Sequence, residues 1–149
     1  MRMVYNNEAI GVISIAAVLK KVRQVSYAKA LLILPIALHK ELINFLKREQ
    51  TTIKSIEQLV ARRGNHLANF NERFIELIPV SINSIMLLNE MGIVKLGNGS
   101  IYYNEKIEFN FEDESLGKRT SDILKATNNI SNLLKQDVSD LYLHLRVQI

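Results

Sequence analysis

Between Ala9 and Leu19 the only polar side chain is Ser14, and from Ala28 to Leu38 only Lys29 interrupts an apolar run. Neither stretch alternates with period two, and a helix this uniformly apolar has no face left for water. The pattern predicts two helices buried on all sides. Asn7 is a plausible N-cap for the first, with Glu8 in its opening turn. The β-branched residues Val12, Ile13, Ile15 and Val18 also suit a strand. Ser26 caps the second, and Pro35 lacks an N–H, so it is expected to kink or break that helix. Leu42, Ile43, Phe45 and Leu46 then give an amphipathic turn or two, ending on Lys47 and Arg48.

From residue 52 the pattern becomes amphipathic. Ile53, Ile56, Leu59 and Val60 form one helical stripe, capped by Thr52 or Ser55, closed by Arg62 and Arg63 and stopped by Gly64 or Asn65. Leu67, Phe70, Phe74 and Leu77 form the next, and Pro79 suits the first position of a further helix over 80–91. Ile93, Val94 and Leu96 precede Asn98-Gly99, and Ile101, Tyr102 and Tyr103 follow. Asn-Gly between two such runs predicts a hairpin with a type I′ turn. Ile107, Phe109 and Phe111 alternate with polar residues as an extra strand would, before an acidic patch at Glu112, Asp113 and Glu114. Ile123, Leu124, Ile130, Leu133 and Leu134 mark a C-terminal helix, and Leu143, Leu145 and Val147 suit a last strand or a segment docked in a groove. One domain over 1–149 is expected, mainly α with a small β-hairpin, winged-helix-like. Its parts are apolar helices over 7–48, a helix-and-wing region over 52–111, and a C-terminal helix and tail over 117–149.

Composition narrows this little. Hydrophobic residues make up 48% of the 149, enough for a folded core. Without cysteine there is no disulfide framework and no thiolate zinc site, which fits a reducing cytoplasm. The apolar opening has a signal peptide's length, but Asn6, Asn7 and Glu8 precede the run and no small-residue cleavage site follows. The run at 28–38 falls well short of the roughly 20 residues that span a bilayer. A soluble protein with no membrane role is expected.

Charge is uneven. Residues 1–74 carry twelve Lys/Arg against five Asp/Glu, and residues 75–149 carry seven against ten. A basic half suits nucleic acid or an acidic protein surface, or is ordinary solvated helix.

No constellation for chemistry stands out. His39, His66 and His144 lack metal-ligand spacing, and no phosphate loop, dinucleotide fingerprint or nucleophile elbow occurs. Glu72 and Glu76 share a helix face, with Arg73 beside them as a surface ion-pair partner. No catalytic residue, metal, cofactor or small-molecule substrate is expected.

A winged helix often reads DNA through the helix before its wing. Here no Lys or Arg occurs between Arg73 and Lys95, while Glu76 and Glu90 do. Phosphate neutralisation supplies most DNA affinity, so that helix suits DNA poorly. Lys54, Arg62, Arg63 and Lys95 remain candidate contacts to DNA backbone or an acidic partner. Apolar surface left over from the two N-terminal helices points instead to a protein interface. Ile10, Ile13, Leu32 and Leu34, with Leu143, Leu145 and Val147 of the tail, are the candidate partner-binding positions.

YNNEAIGVISIAAVL (5–19), AKALLILPIALHKEL (28–42), FNERFIELIPVSINSIMLLNEMGIVKLGNGSIYYN (70–104), LGKRTSDILKATNNISNLLKQ (116–136) and LYLHLRVQI (141–149) occur in this order. Together they resemble the middle component of bacterial three-component ABC systems, anti-phage defence modules that include the Lamassu type. The tail departs from that pattern, with Gln148-Ile149 where a proline-type ending is expected. The resemblance implies a non-enzymatic adaptor between an SMC-like ABC ATPase and a toxic, nuclease-type effector, with DNA reached through the complex. The alternative is a winged-helix transcriptional regulator.

Overall fold

In the computed structural model, residues 2–107 and 117–148 are described. Helix α1 (Arg2–Val22) leads into a short strand β1 (Gln24–Ser26), followed by the short helices α2 (Tyr27–Ala30), α3 (Ile33–Ala37) and α4 (Lys40–Leu46). Then come α5 (Ile56–Arg63), a 3-10 turn (Gly64–Leu67) and the long α6 (Phe70–Glu90). The hairpin β2 (Val94–Gly97) and β3 (Ser100–Tyr103) precedes α7 (Gly117–Leu133) and α8 (Val138–Leu145).

Helix α1 is the axis of the molecule. Every residue from Gly11 to Leu19 is buried, as a helix without a polar face requires. It packs between α6 and α7, with α3 closing another side. Gly11 sets the approach to α6: a Cβ there would come within 2.5 Å of Ser84 Oγ and 3.1 Å of Leu34 Cδ1. Ser14 is buried and donates its hydroxyl to the Ile10 carbonyl at 2.7 Å, so its one polar group is satisfied within the helix.

The hairpin forms as the Asn-Gly signal requires. Asn98 (φ 52°) and Gly99 (φ 75°) both take positive φ, the condition for a type I′ turn. Strand β1 adds to the far side of β3, giving an antiparallel sheet of order β1-β3-β2 in which Val25 faces Ile101 and Leu96 faces Ile101 from the other side. Three residues between two helices carry too little alternation for β1 to show in the sequence.

Three expectations change and one shifts. The first helix begins at Arg2, so Asn7 lies inside it and not at its cap; asparagine in a helix interior costs only a few tenths of a kcal/mol. The break that Pro35 imposes falls one turn before it: the run divides into α2 and α3 at Leu31–Leu32, and Leu31 is the residue whose carbonyl an N–H at position 35 would have served. Pro35 itself then sits third in α3, where no N–H is needed, and the chain turns again at Leu38–His39. His39 then caps α4, its Nδ1 accepting from Leu42 N–H at 3.3 Å. Pro79 starts no helix: α6 runs through it. Pro79 and Ile75 both lie on the exposed side, so the Ile75 carbonyl that Pro79 cannot serve faces water. The tail forms α8 and not a strand, with Leu141 and Leu145 one turn apart on its buried side. The expected strand beyond Ile107 and the acidic patch at 112–114 lie outside the described residues.

One buried side chain ties the chain together. Asn129 of α7 accepts from Ile53 N–H at 2.9 Å and donates to the carbonyls of Leu46 (2.8 Å) and Thr51 (3.0 Å). All of its hydrogen-bonding capacity but one lone pair is used, and it fixes the loop between α4 and α5. Gln136 extends the clamp, accepting from Ile56 N–H and donating to Glu57 Oε1 at 3.0 Å.

Candidate functional site

Helix α6 has two unlike sides. Phe70, Phe74, Ser81, Ser84, Ile85 and Leu88 are buried against the core. On the outer side, Ile75 is 51% exposed, Ile82 49%, Met86 47%, Leu87 38% and Met91, just past the helix end, 51%. Large apolar side chains so exposed on one helix mark a binding surface more than isolated surface hydrophobes do. Ile75, Pro79, Ile82 and Met86 follow a 4-3-4 spacing. At 3.6 residues per turn they fall within about 60° of arc, the width of a coiled-coil seam.

One edge of this seam is acidic. Glu76, Asn83 and Glu90 recur every seven residues and are all exposed. Asn83 donates to Glu8 Oε1 of α1 at 3.3 Å, which brings a further carboxylate to the same edge. No Lys or Arg lies between Arg73 and Lys95 to offset them.

A second face is basic. The guanidinium carbons of Arg63, Arg62 and Arg48 lie 4.1, 5.0 and 5.8 Å from the centre of the buried Phe45 ring. The ring's negative face favours the cations, which otherwise repel one another. The Asn129 clamp presents α5 to α4 so that these three arginines meet.

The structure separates the sequence candidates. Ile13, Leu32, Leu34 and Leu145 are core residues, so their apolar surface is spent inside the chain and they are not available to a partner in this fold. Ile10 and Val147 are partly buried against that core, and Leu143 stands 73% exposed on α8. Of the charged candidates, Arg62 and Arg63 share the Phe45 ring, Lys54 is exposed just before α5, and Lys95 is exposed on β2, away from them in the sheet. The α6 seam was missed because Ile75 and Met86 were divided between two helices at Pro79. The 4-3-4 spacing, read across the proline, is the signal that would have found it.

Other titratable groups serve the fold. Arg73 pairs with neither Glu72 nor Glu76 but donates to the Pro35 carbonyl at 3.1 Å, and burial lowers its pKa from the ordinary arginine value. His39 and His66, distant in sequence, meet edge to face at 6.1 Å. Burial, and then the nearby Arg73 charge, hold the His39 pKa below its usual value despite Glu41 Oε2 at 3.2 Å. Tyr142 donates to the Ala28 carbonyl at 2.6 Å, and burial raises its pKa. Among the described residues no three His, Asp or Glu side chains gather as a metal site would need. A cleft of about 610 Å³ beside α4 and α7 is lined by Lys40, Asn44, Lys118, Arg119 and Asp122, with Asp122 held by Lys47 at 3.3 Å. No helix among the described residues is long and apolar enough to cross a membrane.

Residues 13–149 match the family model of the ABC-three component (ABC-3C) system Middle Component 3. The chain belongs to this family. The match takes in α6, its hairpin and the arginine face, so both surfaces are part of the family's shared extent. No curated protein matches the chain, and no solved structure does. As a middle component of an ABC-3C system, the protein works with that system's other components.

Proposed function

We propose that this middle component is a non-enzymatic adaptor that links an SMC-like ABC ATPase to a toxic, nuclease-type effector in a bacterial anti-phage or anti-plasmid complex of the Lamassu kind, acting in the cytoplasm. The observation that carries the reading is the exposed apolar seam of α6. A domain of this size has already buried both apolar N-terminal segments, yet leaves Ile75, Ile82 and Met86 in water. Membership of a middle-component family supplies the context in which another subunit covers them. The architecture supports a winged-helix reading. A long helix enters the β2–β3 hairpin through a tight turn at Gly92, and β1 completes the sheet beside β3. In that reading α6 holds the place of the recognition helix, and its apolar, acidic surface suits protein and repels phosphate.

The test is co-expression of the three components with a tag on the ATPase. The adaptor reading expects the effector to co-purify when the middle component is present and to be lost when it is omitted. Effector recovery that is indifferent to the middle component contradicts it.

A winged-helix transcriptional regulator is the second reading, favoured by the three arginines gathered at Phe45. It expects sequence-dependent, salt-sensitive duplex binding by the chain alone.

A further inference from the structure

We infer that the α6 seam receives a single helix of another subunit whose edge is basic, packed side by side as in a two-stranded coiled coil. This rests on the adaptor reading and names the chemistry of the surface that α6 recognises. The seam has the narrow 4-3-4 apolar spacing of a helix that meets one other helix, where a core-facing helix shows a wider stripe. Ile75, Pro79, Ile82 and Met86 alternate as a and d positions do. Glu76, Asn83 and Glu90 then fall on the flanking line, where charges set partner choice. That line carries two carboxylates, with Glu8 brought beside it through Asn83 at 3.3 Å. A partner helix with Lys or Arg along the matching edge is attracted; one with acids there is repelled.

The same charges argue against a second copy of this chain. An antiparallel self-pair sets each acidic edge against its equal, Glu76 and Glu90 facing Glu90 and Glu76. The seam is only about 16 Å long at 1.5 Å per residue, which leaves little apolar area to offset that repulsion. Nucleic acid is excluded by the sign of the charge.

The experiment uses the co-expressed complex. Three forms of the middle component are compared: wild type, Ile82→Asp with Met86→Asp, and Glu76→Lys with Glu90→Lys. All four positions are exposed, so both variants are expected to fold, and thermal unfolding of the free chain checks this. The inference expects wild type to assemble, the Asp pair to reduce assembly at least tenfold, and the Lys pair to do so with added salt weakening the wild-type complex. If the Asp pair is unstable, the Lys pair decides alone. Wild-type assembly that both variants match overturns the inference and leaves the adaptor reading standing. Loss with the Asp pair but none with the Lys pair overturns the basic edge. Failure of wild type to assemble at all overturns the adaptor reading, and the inference with it. Self-association of the free chain that the Asp pair abolishes assigns the seam to a second copy and overturns it too.

Discussion

The side-chain oxygen of Asn129 lies 2.9 Å from the backbone nitrogen of Ile53, inside the protein and 76 residues away in sequence. Together with the bonds from its amide to Leu46 and Thr51, this contact holds α5 and its arginines against α4. Asn129→Ala leaves one donor and two acceptors buried without partners, at about 1–3 kcal/mol for a buried polar group. Because the three groups share one loop that can relax, a total loss of about 2–4 kcal/mol is expected. Urea unfolding of the free chain measures it, and a loss below ~1 kcal/mol would show that the loop finds other partners.

Gly11 and Ser84 make the second prediction. Gly11→Ala drives a methyl against Ser84 Oγ, and overpacking of this kind costs about 1–3 kcal/mol. Ser84→Ala alone is expected to be nearly neutral, because its hydroxyl is buried with no partner. In the Ser84→Ala background the Gly11→Ala penalty should fall by at least half. Strict additivity in the double-mutant cycle would mean the two helices do not meet there.

These two contacts show what the sequence could and could not convey. The buried character of α1 was legible because Ala9–Leu19 offers only Ser14 to water. The Asn98-Gly99 turn was legible because its chemistry is local. Asn129 was not, because an asparagine on an amphipathic helix reads as solvent-facing until the loop it clamps is in place. The two prolines act differently. At Pro35 the lost bond to Leu31 coincides with the end of α2, so the expected break is present one turn early. Pro79, read as the start of a new helix, lies with Ile75 on an exposed face where the loss is tolerated, and α6 runs on. Splitting α6 at Pro79 hid the apolar seam, while the apolar density of α1 and α3 drew attention to residues that the core consumes.

The arginine face carries a separate expectation. Reversal of both Arg62 and Arg63 to Glu removes two ring contacts, each worth about 0.5–1 kcal/mol when exposed. The variant should therefore remain folded, with thermal unfolding lowered by a few degrees, and should lose affinity for any acidic partner surface or DNA held by the complex. Unchanged assembly and unchanged DNA retention in one preparation would remove this face from either contact.

His39 makes stability depend on pH. Its folded pKa lies below the unfolded value near 6.5, because burial and Arg73 disfavour the cation. The folded state then binds fewer protons than the unfolded state, and stability rises with pH through this range. The contribution is complete above the unfolded value and is lost as pH falls below 6.5 through the folded pKa. Protonation also makes Nδ1 a donor and removes the acceptor that caps α4. Unfolding measured from pH 7.5 to 5 should show this slope, and His39→Asn, which retains a capping oxygen, should flatten it. An unchanged slope in that variant would assign the dependence to another group.

The most direct measurement is hydroxyl-radical footprinting of the middle component, free and within the assembled three-component complex. Met86 and Met91 are about half exposed and react readily with the radical. The account predicts strong labelling of both in the free chain, and a several-fold drop at Met86, with its neighbour Ile82, on assembly. Labelling that stays unchanged across assembly would place the partner elsewhere and contradict the claim that α6 is the docking helix.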